Sequence, residues 1–386
     1  MSDSIGRTVG IVGAGQLARM MAQAAIPLDI RIVLLAAGAS DGAARVVPDV
    51  IVGEPDDAAA LSELARRCDV ITFDHELVSP RLLDELERRG HRVWPSAATM
   101  SVAQDKRRQR AEFSTAGLPV PAFATIDTLA DAEAFGARAG WPVVLKASRG
   151  GYDGRGVWIV ENGTAARAVL DGANENGTVL LAESCLTLDR EFAVLVARRE
   201  GGDIVTYPVT ETVQREGICR ELRVPCELSP SLAREATEIA AAIAETYDVV
   251  GIMAVEFFLV EDRIFINELA PRPHNSGHWT IEGAVTSQFA QHLRAVLDLP
   301  LGSTALTAPA VATVNLLAPA TGVDPGDRLA NGLTIPGAHI HLYGKAARPG
   351  RKIGHVTALG DTLDAARETA TAAAGLLDQS RAEVQS

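Results

Sequence analysis

The stretch VGIVGAGQLARMM, residues 9–21, constrains the fold of this chain more than any other feature. An apolar run meets Gly13-Ala14-Gly15, and the apolar residues that follow recur at helical spacing. This is the pattern of a β-strand, a tight glycine turn and an α-helix. It favours an α/β fold in which the start of the helix offers backbone N–H groups to an anion.

The remainder of the first hundred residues continues the alternation of strands and helices. Residues 30–37 and 69–73 are predicted strands, and residues 58–67 and 80–89 are predicted helices. Such alternation indicates a parallel sheet with helices on both faces. We therefore expect a Rossmann-like N-terminal domain.

Changes in composition along the chain suggest two further domains. A charged helix begins near Ala103, and a second α/β region of strands, hairpins and helices follows it. The last part alternates apolar strands and ends in an alanine-rich helix. The predicted domains are residues 1–103, residues 104–300 with a lid at about 118–190, and a small β-rich domain at 301–386.

The glycine turn resembles the G-x-G-x-x-G/A fingerprint of dinucleotide-binding proteins, because Gly13, Gly15 and Ala18 match its spacing. A Rossmann NAD site also needs an acidic residue at the end of the second strand, to hold the ribose. Positions 34–40 contain no Asp or Glu, and Asp41 falls later, in the loop. An NAD site is therefore disfavoured, which leaves binding of another anion or a tight turn alone.

Composition excludes several classes of protein. The net charge of −13 disfavours a general nucleic-acid binder. No apolar run reaches the roughly 20 residues that span a bilayer, and the first residues lack the regions of a signal peptide. The four cysteines show no C-x-x-C pair. We expect them to be unpaired thiols in a reducing cytoplasm, with no membrane or nucleic-acid partner.

A lysine in an apolar strand is the first candidate for chemistry. Lys146 lies in PVVLKAS, and the glycine-rich loop GGYDGRG follows. A buried ammonium needs a partner, and a flexible glycine loop beside it suits the phosphates of ATP. An ordinary hairpin turn with a lysine that extends to solvent is the alternative.

The segment 256–268 is a predicted hairpin with a carboxylate at each end. With a turn at Glu261-Asp262-Arg263, Glu256 would sit opposite Glu268, whereas a two-residue turn would shift this register by one. Two carboxylates among apolar residues, with Asn267 beside them, suit Mg²⁺ that also binds substrate phosphates. A solvated strand face is the alternative.

Two later segments concentrate polar side chains. NELAPRPHNSGHWT brings Arg272, His274 and His278 together, and Arg272 could stabilise charge on a transferring phosphoryl group. The nearby carboxylates favour Mg²⁺ over zinc here. YGKAARPGRKIGH holds four basic residues in an acidic protein, which favours a phosphate pocket over a solvated face; these are Lys345, Arg348, Arg351 and Lys352.

Taken in order, these motifs resemble those of an ATP-grasp enzyme, and more specifically those of the N5-carboxyaminoimidazole ribonucleotide synthetases of purine biosynthesis. The matching stretches run from Gly13 to His355. They are GAGQLARM, TFDHE, QDK, LKASRGGYDGRG, EFAV, YPVTETVQREGI, FINELAPRPHNSGHWT and GKAARPGRKIGH. The resemblance implies an ATP-grasp fold with a pre-ATP-grasp domain and a small C-terminal domain, and it suggests a homodimer.

The resemblance also implies a reaction and its residues. Bicarbonate would attack Mg-ATP to give carboxyphosphate, which would carboxylate the exocyclic amine of 5-aminoimidazole ribonucleotide. The implied contacts of ATP are Lys106, Lys146, Gly151, Tyr152, Asp153, Gly154, Arg155, Gly156, an adenine hinge of Glu183, Ser184, Cys185 and Leu186, then Glu191, Gln214, Asn267 and Glu268. The implied Mg²⁺ ligands are Glu256 and Glu268. Around the ribonucleotide and bicarbonate the implied residues are Gln16, Glu76, Tyr152, Asp153, Arg272, His274, Lys345, Arg351 and Lys352.

The chain departs from the family pattern at several positions. Gly13-Ala14-Gly15 replaces a triple glycine, Ala18 replaces the next glycine, Asp74 replaces the first Glu of an E-x-E motif, and Gln214 replaces a histidine. Either Asp153 or His274 could relay the proton of the amine. The alternatives that remain are another ATP-grasp ligase, such as a formate-using enzyme, an NAD oxidoreductase, and a nucleotide-binding regulator without catalysis.

Overall fold

A computed structural model describes residues 7–151, 155–318, 325–346 and 348–378. These residues form three β-sheets with helices packed on them. The first sheet is parallel, the second is a small antiparallel sheet, and the third is a large sheet that extends from the middle of the chain to its last strands. The predicted α/β class is confirmed.

The first sheet has four parallel strands in the order β3-β2-β1-β4. Its elements and their helices are β1 (Thr8–Val12), α1 (Gln16–Ala25), β2 (Arg31–Ala36), β3 (Val50–Val52), α2 (Ala58–Arg67), β4 (Val70–Phe73), α3 (Pro80–Arg88) and α4 (Ala97–Ala103). Helix α1 packs on one face of the sheet, and α2, α3 and α4 pack on the other. The predicted Rossmann-like alternation is therefore confirmed.

The second sheet is antiparallel, with the strand order β5-β8-β6-β7, and two helices cover it. It follows a connecting helix, α5, which begins after Asp105 caps its first turn. The elements are α5 (Lys106–Thr115), β5 (Phe123–Ile126), α6 (Leu129–Ala139), β6 (Val143–Ala147), β7 (Val157–Val160), α7 (Gly163–Glu175) and β8 (Leu180–Ser184).

The third sheet has nine strands, eight of them in the order β14-β13-β9-β11-β12-β15-β17-β16, while β10 pairs with β9. Its central elements are β9 (Arg190–Arg198), β10 (Ile204–Thr206), β11 (Thr210–Arg215), β12 (Ile218–Val224), α8 (Pro230–Thr246), β13 (Gly251–Val260), β14 (Arg263–Ala270), α9 (Thr280–Gly283) and α10 (Gln288–Val296). Its last elements are β15 (Ala310–Leu317), α11 (Leu329–Gly332), β16 (Ala338–Leu342), β17 (Lys352–Gly360) and α12 (Leu363–Leu377). Because β12 pairs with β15, the sheet is continuous across residue 300.

Three details differ from the sequence prediction. The apolar pattern of IVTYPVTETV predicts one strand, but the segment forms two, β10 and β11, because Pro208 has no N–H to donate to a ladder. The sequence also predicts a helix from about residue 282 to residue 297, but α10 begins only at Gln288, where Ser287 caps it. Residues 284–287 instead run beside residues 303–306, with Val285 N–H donating to Ala305 O at 2.9 Å. Helix α4 was not predicted.

Helix α10 joins the first sheet to the third. Its side chains Phe289, Leu293 and Val296 lie in the same apolar core as strand β1 and helix α1. In the same helix, His292 is fully buried. Its Nε2 lies 2.7 Å from Thr72 Oγ1 of β4, and its Nδ1 accepts the N–H of Ile252 in β13 at 3.0 Å. The histidine therefore bridges the two sheets in its neutral form, with its proton on Nε2.

Two general properties follow from the described residues. No helix among them is long and apolar enough to cross a membrane. All four cysteines lie within the described ranges, and none of them forms a disulfide. Burial raises the pKa of Cys68 and of Cys226 to about 12, so both thiols are poorly reactive at neutral pH.

The buried histidine predicts how stability depends on pH. Burial lowers the pKa of His292 to about 3, from the ordinary value of 6.5. Below pH 6.5 the unfolded chain therefore binds a proton that the folded chain does not, and the free energy of unfolding falls as the pH falls. Between about pH 7 and pH 5 this group alone should lower it by about 2 kcal/mol.

Urea denaturation at both pH values tests this. His292→Gln should make the loss of unfolding free energy between them about 2 kcal/mol smaller than in the parent protein. His339→Gln is the control, because that side chain is exposed, and it should leave the loss unchanged. An unchanged pH dependence in His292→Gln would contradict the buried neutral state.

Candidate active site

The glycine loop after β1 is occupied by a carboxylate of the protein itself. Asp74, directly after β4, accepts the N–H of Gly15 through Oδ2 at 2.6 Å. Gly13 has a φ of +107°, and a Cβ there would lie 1.7 Å from Asp74 Oδ1, so the loop requires glycine. Burial raises the pKa of Asp74, although His75, Gly15 and Arg272 oppose this. The start of α1 thus holds a carboxyl group of the protein where a dinucleotide-binding protein would hold a pyrophosphate.

The hairpin β13–β14 places Glu256 and Glu268, the two predicted metal ligands, opposite each other. It does so through a turn and a β-bulge that the sequence did not predict. Its turn has two residues, Glu261 and Asp262, both with positive φ. This turn alone would pair Glu256 with Asn267. A β-bulge after Glu256 shifts the register by one residue, so Glu256 faces Glu268. The predicted pairing is confirmed, but the predicted three-residue turn is wrong.

The two carboxylates differ sharply in their electrostatics. Burial, followed by the charges of Glu268 and Glu191, raises the pKa of Glu256 to about 7. Burial acts in the same direction on Glu268, but the ammonium of Lys106, which donates a short hydrogen bond to it, dominates and lowers its pKa to about 2. Asn267 Nδ2 donates to Glu256 Oε2 at 3.1 Å.

This arrangement fits a divalent cation. A carboxyl pKa raised by burial and by a second carboxylate marks a place where positive charge would be stabilised, and an ammonium already lies against one of the pair. Among the described residues there is no group of three or more His, Cys, Asp or Glu that could hold a metal ion. Two carboxylates completed by substrate phosphates and water match the usual coordination of Mg²⁺ in phosphoryl-transfer sites.

A second buried cluster surrounds Lys146. Its Nζ lies 2.7 Å from Glu183 Oε2 and donates to Asn267 Oδ1 at 3.1 Å. Arg110, only 1% exposed, donates from Nε to Glu183 Oε1 at 2.6 Å and from Nη2 to Asn267 O. Burial lowers the pKa of Lys146, although Glu183 opposes this. The sequence analysis missed Arg110, because it lies in a run of charged residues that resembles an exposed helix face.

The predicted adenine hinge, Glu183 to Leu186, consists of the last two residues of strand β8 and the two residues after it. Glu183 is 2% exposed and fully engaged by Lys146 and Arg110, so a nucleotide base would meet the half-buried residues Ser184, Cys185 and Leu186. Glu191, at the start of β9, lies in the same cleft, and burial raises its pKa to about 7. Gln214 lies at the bulge of β11 and is half-buried.

The glycine-rich loop joins β6 to β7. Gly156, with a φ of +74°, accepts the N–H of Ala147 at 2.7 Å, and a Cβ on Gly151 would lie 2.9 Å from Arg155 O. The predicted contacts Tyr152, Asp153 and Gly154 lie outside the described residues. The residues that the structure describes at the two ends of this loop therefore lie next to β6, the strand that carries Lys146.

The segment after β14 meets the first sheet. Arg272 Nε lies 2.9 Å from Glu76 Oε1, which joins two residues that the sequence analysis assigned to one pocket. His274 Nε2 lies 3.6 Å from Glu256 Oε1. On the other side of its ring, His274 Nδ1 accepts the N–H of Ser276 at 3.3 Å. Neutral His274 therefore carries its proton on Nε2, which faces the carboxylate.

The predicted basic loop, residues 345–352, lies beside the glycine loop of β1. The charge of Lys345 partly opposes the rise in the pKa of Asp74, and that of Lys352 partly opposes the rise in the pKa of Glu256, so both ammonium groups act on these carboxyl groups. Arg351 donates from Nη1 to Ala346 O at 3.3 Å, within the loop.

Two arginines that the sequence analysis missed border the same loop. Arg45 Nη1 donates to Gly344 O at 3.2 Å, and Arg19 Nη1 donates to Gly42 O at 2.8 Å. A Cβ on Gly344 would lie within 3.5 Å of both guanidinium groups. Arg19 is one helical turn from Gln16, the predicted pocket residue at the start of α1. The motif GAGQLARM could have drawn attention to it.

Comparison with known proteins agrees with this geometry. Residues 6–104 match the ribonucleotide synthetase preATP-grasp domain, residues 111–289 the ATP-grasp domain, and residues 312–369 the phosphoribosylaminoimidazole carboxylase C-terminal domain. The N5-carboxyaminoimidazole ribonucleotide synthase of Mycobacterium tuberculosis is 44% identical, over 99% of this chain and 90% of the relative. That of Corynebacterium ammoniagenes is 41% identical, over 96% and 91%.

Solved structures give the same result. The N5-carboxyaminoimidazole ribonucleotide synthetase of Thermus thermophilus superposes with a TM-score of 0.86 at 38% identity, covering 96% of this chain and 99% of the other. The Aspergillus clavatus enzyme, solved with ADP and 5-aminoimidazole ribonucleotide, superposes with a TM-score of 0.87 at 31% identity, covering 97% and 99%.

The unequal carboxylates predict opposite effects of the same substitution. In the nucleotide-free protein at about pH 8, Glu256→Gln removes a repelled charge while its amide can still accept from Asn267, so the free energy of unfolding should be unchanged or higher. Glu268→Gln leaves Lys106 without its carboxylate. Because the Glu268 side chain is 37% exposed, this loss should be limited to about 1 kcal/mol. Urea denaturation measures both, and equal shifts in the same direction would refute the assignment.

Proposed function

The chain belongs to the N5-carboxyaminoimidazole ribonucleotide synthase family, and from this membership we propose its reaction. ATP and bicarbonate are consumed to carboxylate the exocyclic amine of 5-aminoimidazole ribonucleotide, with release of ADP and phosphate. The product carries a new N–C bond to the carboxylate. This is an ATP-dependent ligase reaction of purine biosynthesis.

One observation supports the proposal: three sets of residues with complementary chemistry contact one another or lie within reach of one another's charge. The pair Glu256 and Glu268 suits a metal-bound phosphate chain. The pair Arg272 and Glu76 lies between this hairpin and the first sheet. The basic loop 345–352 beside the glycine loop suits the 5′-phosphate of a ribonucleotide. A nucleoside triphosphate and a ribonucleotide would then lie on either side of His274.

In the proposed first step, a bicarbonate oxygen attacks the γ-phosphorus of ATP and the bond to the β-phosphate oxygen breaks, which gives carboxyphosphate and ADP. Lys106 and Lys146 would exchange their carboxylate partners for phosphate oxygens, and Arg272 would offset charge on the transferred group. Mg²⁺, held by Glu256 and Glu268 when bound, would neutralise phosphate charge and orient the chain.

In the proposed second step, the C–O bond between the carboxyl carbon of carboxyphosphate and its bridging oxygen breaks, and phosphate leaves with that oxygen. The amine nitrogen forms its N–C bond to this carbon, either directly or after the carbon is released as CO₂. The nitrogen loses one proton as the N–C bond forms. Because Nδ1 of His274 already accepts from Ser276, its Nε2–H is suited to donate to an oxyanion rather than to accept this proton. We therefore assign acceptance of the proton to Asp153.

Several parts of this proposal extend beyond the reaction itself. We propose that the loop 150–156 closes over the cleft and keeps water from carboxyphosphate. The domain limits at residues 103 and 300, a homodimer and a cytoplasmic location stay predictions. Among alternatives, Asp74 in the glycine loop argues against an NAD site. Another ATP-grasp ligase, such as a formate-using enzyme, would share the metal hairpin, and substrates distinguish it.

The proposal predicts turnover that depends on the ribonucleotide. With Mg-ATP and bicarbonate, ADP release should rise well above its background when 5-aminoimidazole ribonucleotide is added, and formate or glycinamide ribonucleotide should not replace these substrates. Glu268→Gln should abolish this increase, since it removes a carboxylate from the metal site. Release of ADP that does not respond to the ribonucleotide would refute the proposed function.

The position of Arg19 and Arg45 beside the basic loop predicts that loss of Arg19 weakens binding of the 5′-phosphate of the ribonucleotide. Arg19→Ala should raise the KM for the ribonucleotide about tenfold or more, because a charge-assisted hydrogen bond is lost, and should leave the KM for ATP unchanged. The matching control is the ribonucleoside without its 5′-phosphate, which should react equally poorly with both proteins. An equal loss with ribonucleoside and ribonucleotide would contradict the assignment of the phosphate pocket.

A further inference from the structure

We propose that Gln288, at the start of α10, is a positioning residue that fixes His274 for the reaction. This inference rests on the proposed function for its catalytic meaning, but its structural basis is independent of it. Within the described residues, the hydrogen bonds of the Gln288 side chain reach one residue that the sequence assigns to substrates, His274, and they meet it through the backbone.

The side-chain amide of Gln288 forms the two backbone hydrogen bonds to His274 that a neighbouring β-strand would otherwise form. Its Oε1 accepts the N–H of His274 at 2.9 Å, and its Nε2 donates to the C=O of His274 at 2.8 Å. His274 is in extended conformation, with φ −129° and ψ 156°, but it lies outside every β-strand. The prolines before it, Pro271 and Pro273, have no N–H with which to form a ladder.

The same amide makes a third contact that fixes its orientation. The second N–H of Nε2 points to Nδ1 of His278, 3.2 Å away, so His278 is neutral with its proton on Nε2. Burial lowers the pKa of His278 well below its ordinary value, which agrees with this state. The backbone N–H of Gln288 donates to Thr280 Oγ1 at 2.9 Å. All polar atoms of the side chain are therefore satisfied, in one arrangement only.

Close packing holds Gln288 in place. The residue is fully buried, and a Cβ on Gly277 would lie 2.5 Å from its Oε1. The short 3₁₀-helix Asn275–Gly277 therefore passes directly over the amide. With its backbone held by Gln288 and its ring held by Ser276, His274 directs Nε2 toward Glu256.

Helix α10 supplies a matched control three residues further on. Gln291 is also fully buried, and it makes the same pair of bonds to a different backbone: Nε2 donates to Gly302 O, and Gly302 N–H donates to Oε1, each at 2.8 Å. Gln288→Met and Gln291→Met therefore remove equal numbers of backbone hydrogen bonds from one helix. Only the first should affect His274.

The first experiment measures backbone hydrogen exchange in the full-length protein without ligands. Gln288→Met should speed exchange of the His274 amide at least about tenfold, since its acceptor is lost. Gln291→Met should do the same at Gly302 and leave His274 unchanged. Unchanged protection of His274 in Gln288→Met would overturn the proposal. Should that variant not fold, Gln288→Glu replaces it in the kinetic experiment below, where it should also lower kcat, because it loses the donor to His274 O.

The second experiment measures kcat for ribonucleotide-dependent turnover in a double-mutant cycle. Gln288→Met should lower kcat about 100-fold, as expected for a misplaced reacting group, with the KM for ATP unchanged. In the His274→Ala background the same substitution should change kcat by less than about threefold. A full further loss in that background, or an equal loss in Gln291→Met, would show a merely structural role and overturn the proposal.

The two experiments separate this inference from the proposed function. If the parent protein shows no ribonucleotide-dependent turnover, the proposed function fails, while the exchange measurement still decides whether Gln288 fixes His274. If the parent protein turns over normally but the cycle is additive, the proposed function stands and the role of Gln288 in it fails.

Discussion

The β-bulge in the hairpin β13–β14 is the feature on which the cleft depends. Without it, the two-residue turn would pair Glu256 with Asn267 and direct Glu268 to the other face of the sheet. With it, two carboxylates share one face, and Asn267 can contact both Glu256 and Lys146. Burial, followed by the charge of Glu268, raises the pKa of Glu256 to about 7, so holding both carboxylates in this buried position has an electrostatic cost.

The charged residues around Glu256 and Glu268 offset this electrostatic cost. Their pairing also suits an exchange of protein carboxylates for the phosphates of a nucleotide. Lys106 is held by Glu268, and Lys146 by Glu183, so each ammonium that would bind phosphate has a carboxylate partner in the nucleotide-free protein. Arg110 keeps Glu183 neutralised on its far side. Lys146 could therefore move to a phosphate without leaving Glu183 as an unpaired buried charge, which would be strongly destabilising.

The sequence predicted those parts of the structure that depend on local pattern. The alternation in residues 9–89 predicted the parallel sheet, and the charges embedded in apolar strands, Lys146, Glu256 and Glu268, do lie close together. Two kinds of feature were not predictable in this way. The bulge cannot be recognised from the spacing of the hairpin, and the partner of Gly15 N–H is Asp74, 59 residues away. Arg110 was not predictable either, because it lies in a run of charged residues and only tertiary packing makes it buried.

Helix α10 shows why such polar residues escape sequence analysis and what they contribute. Gln288, Gln291 and His292 give the helix a polar appearance, yet all three are fully buried. Each binds a different part of the chain, namely the segment at His274, the loop at Gly302 and the strands β4 and β13. An apolar helix could slide or rotate at little cost, whereas any shift of α10 would leave several buried polar groups without partners. The helix therefore fixes the first sheet and the His274 segment relative to the hairpin β13–β14.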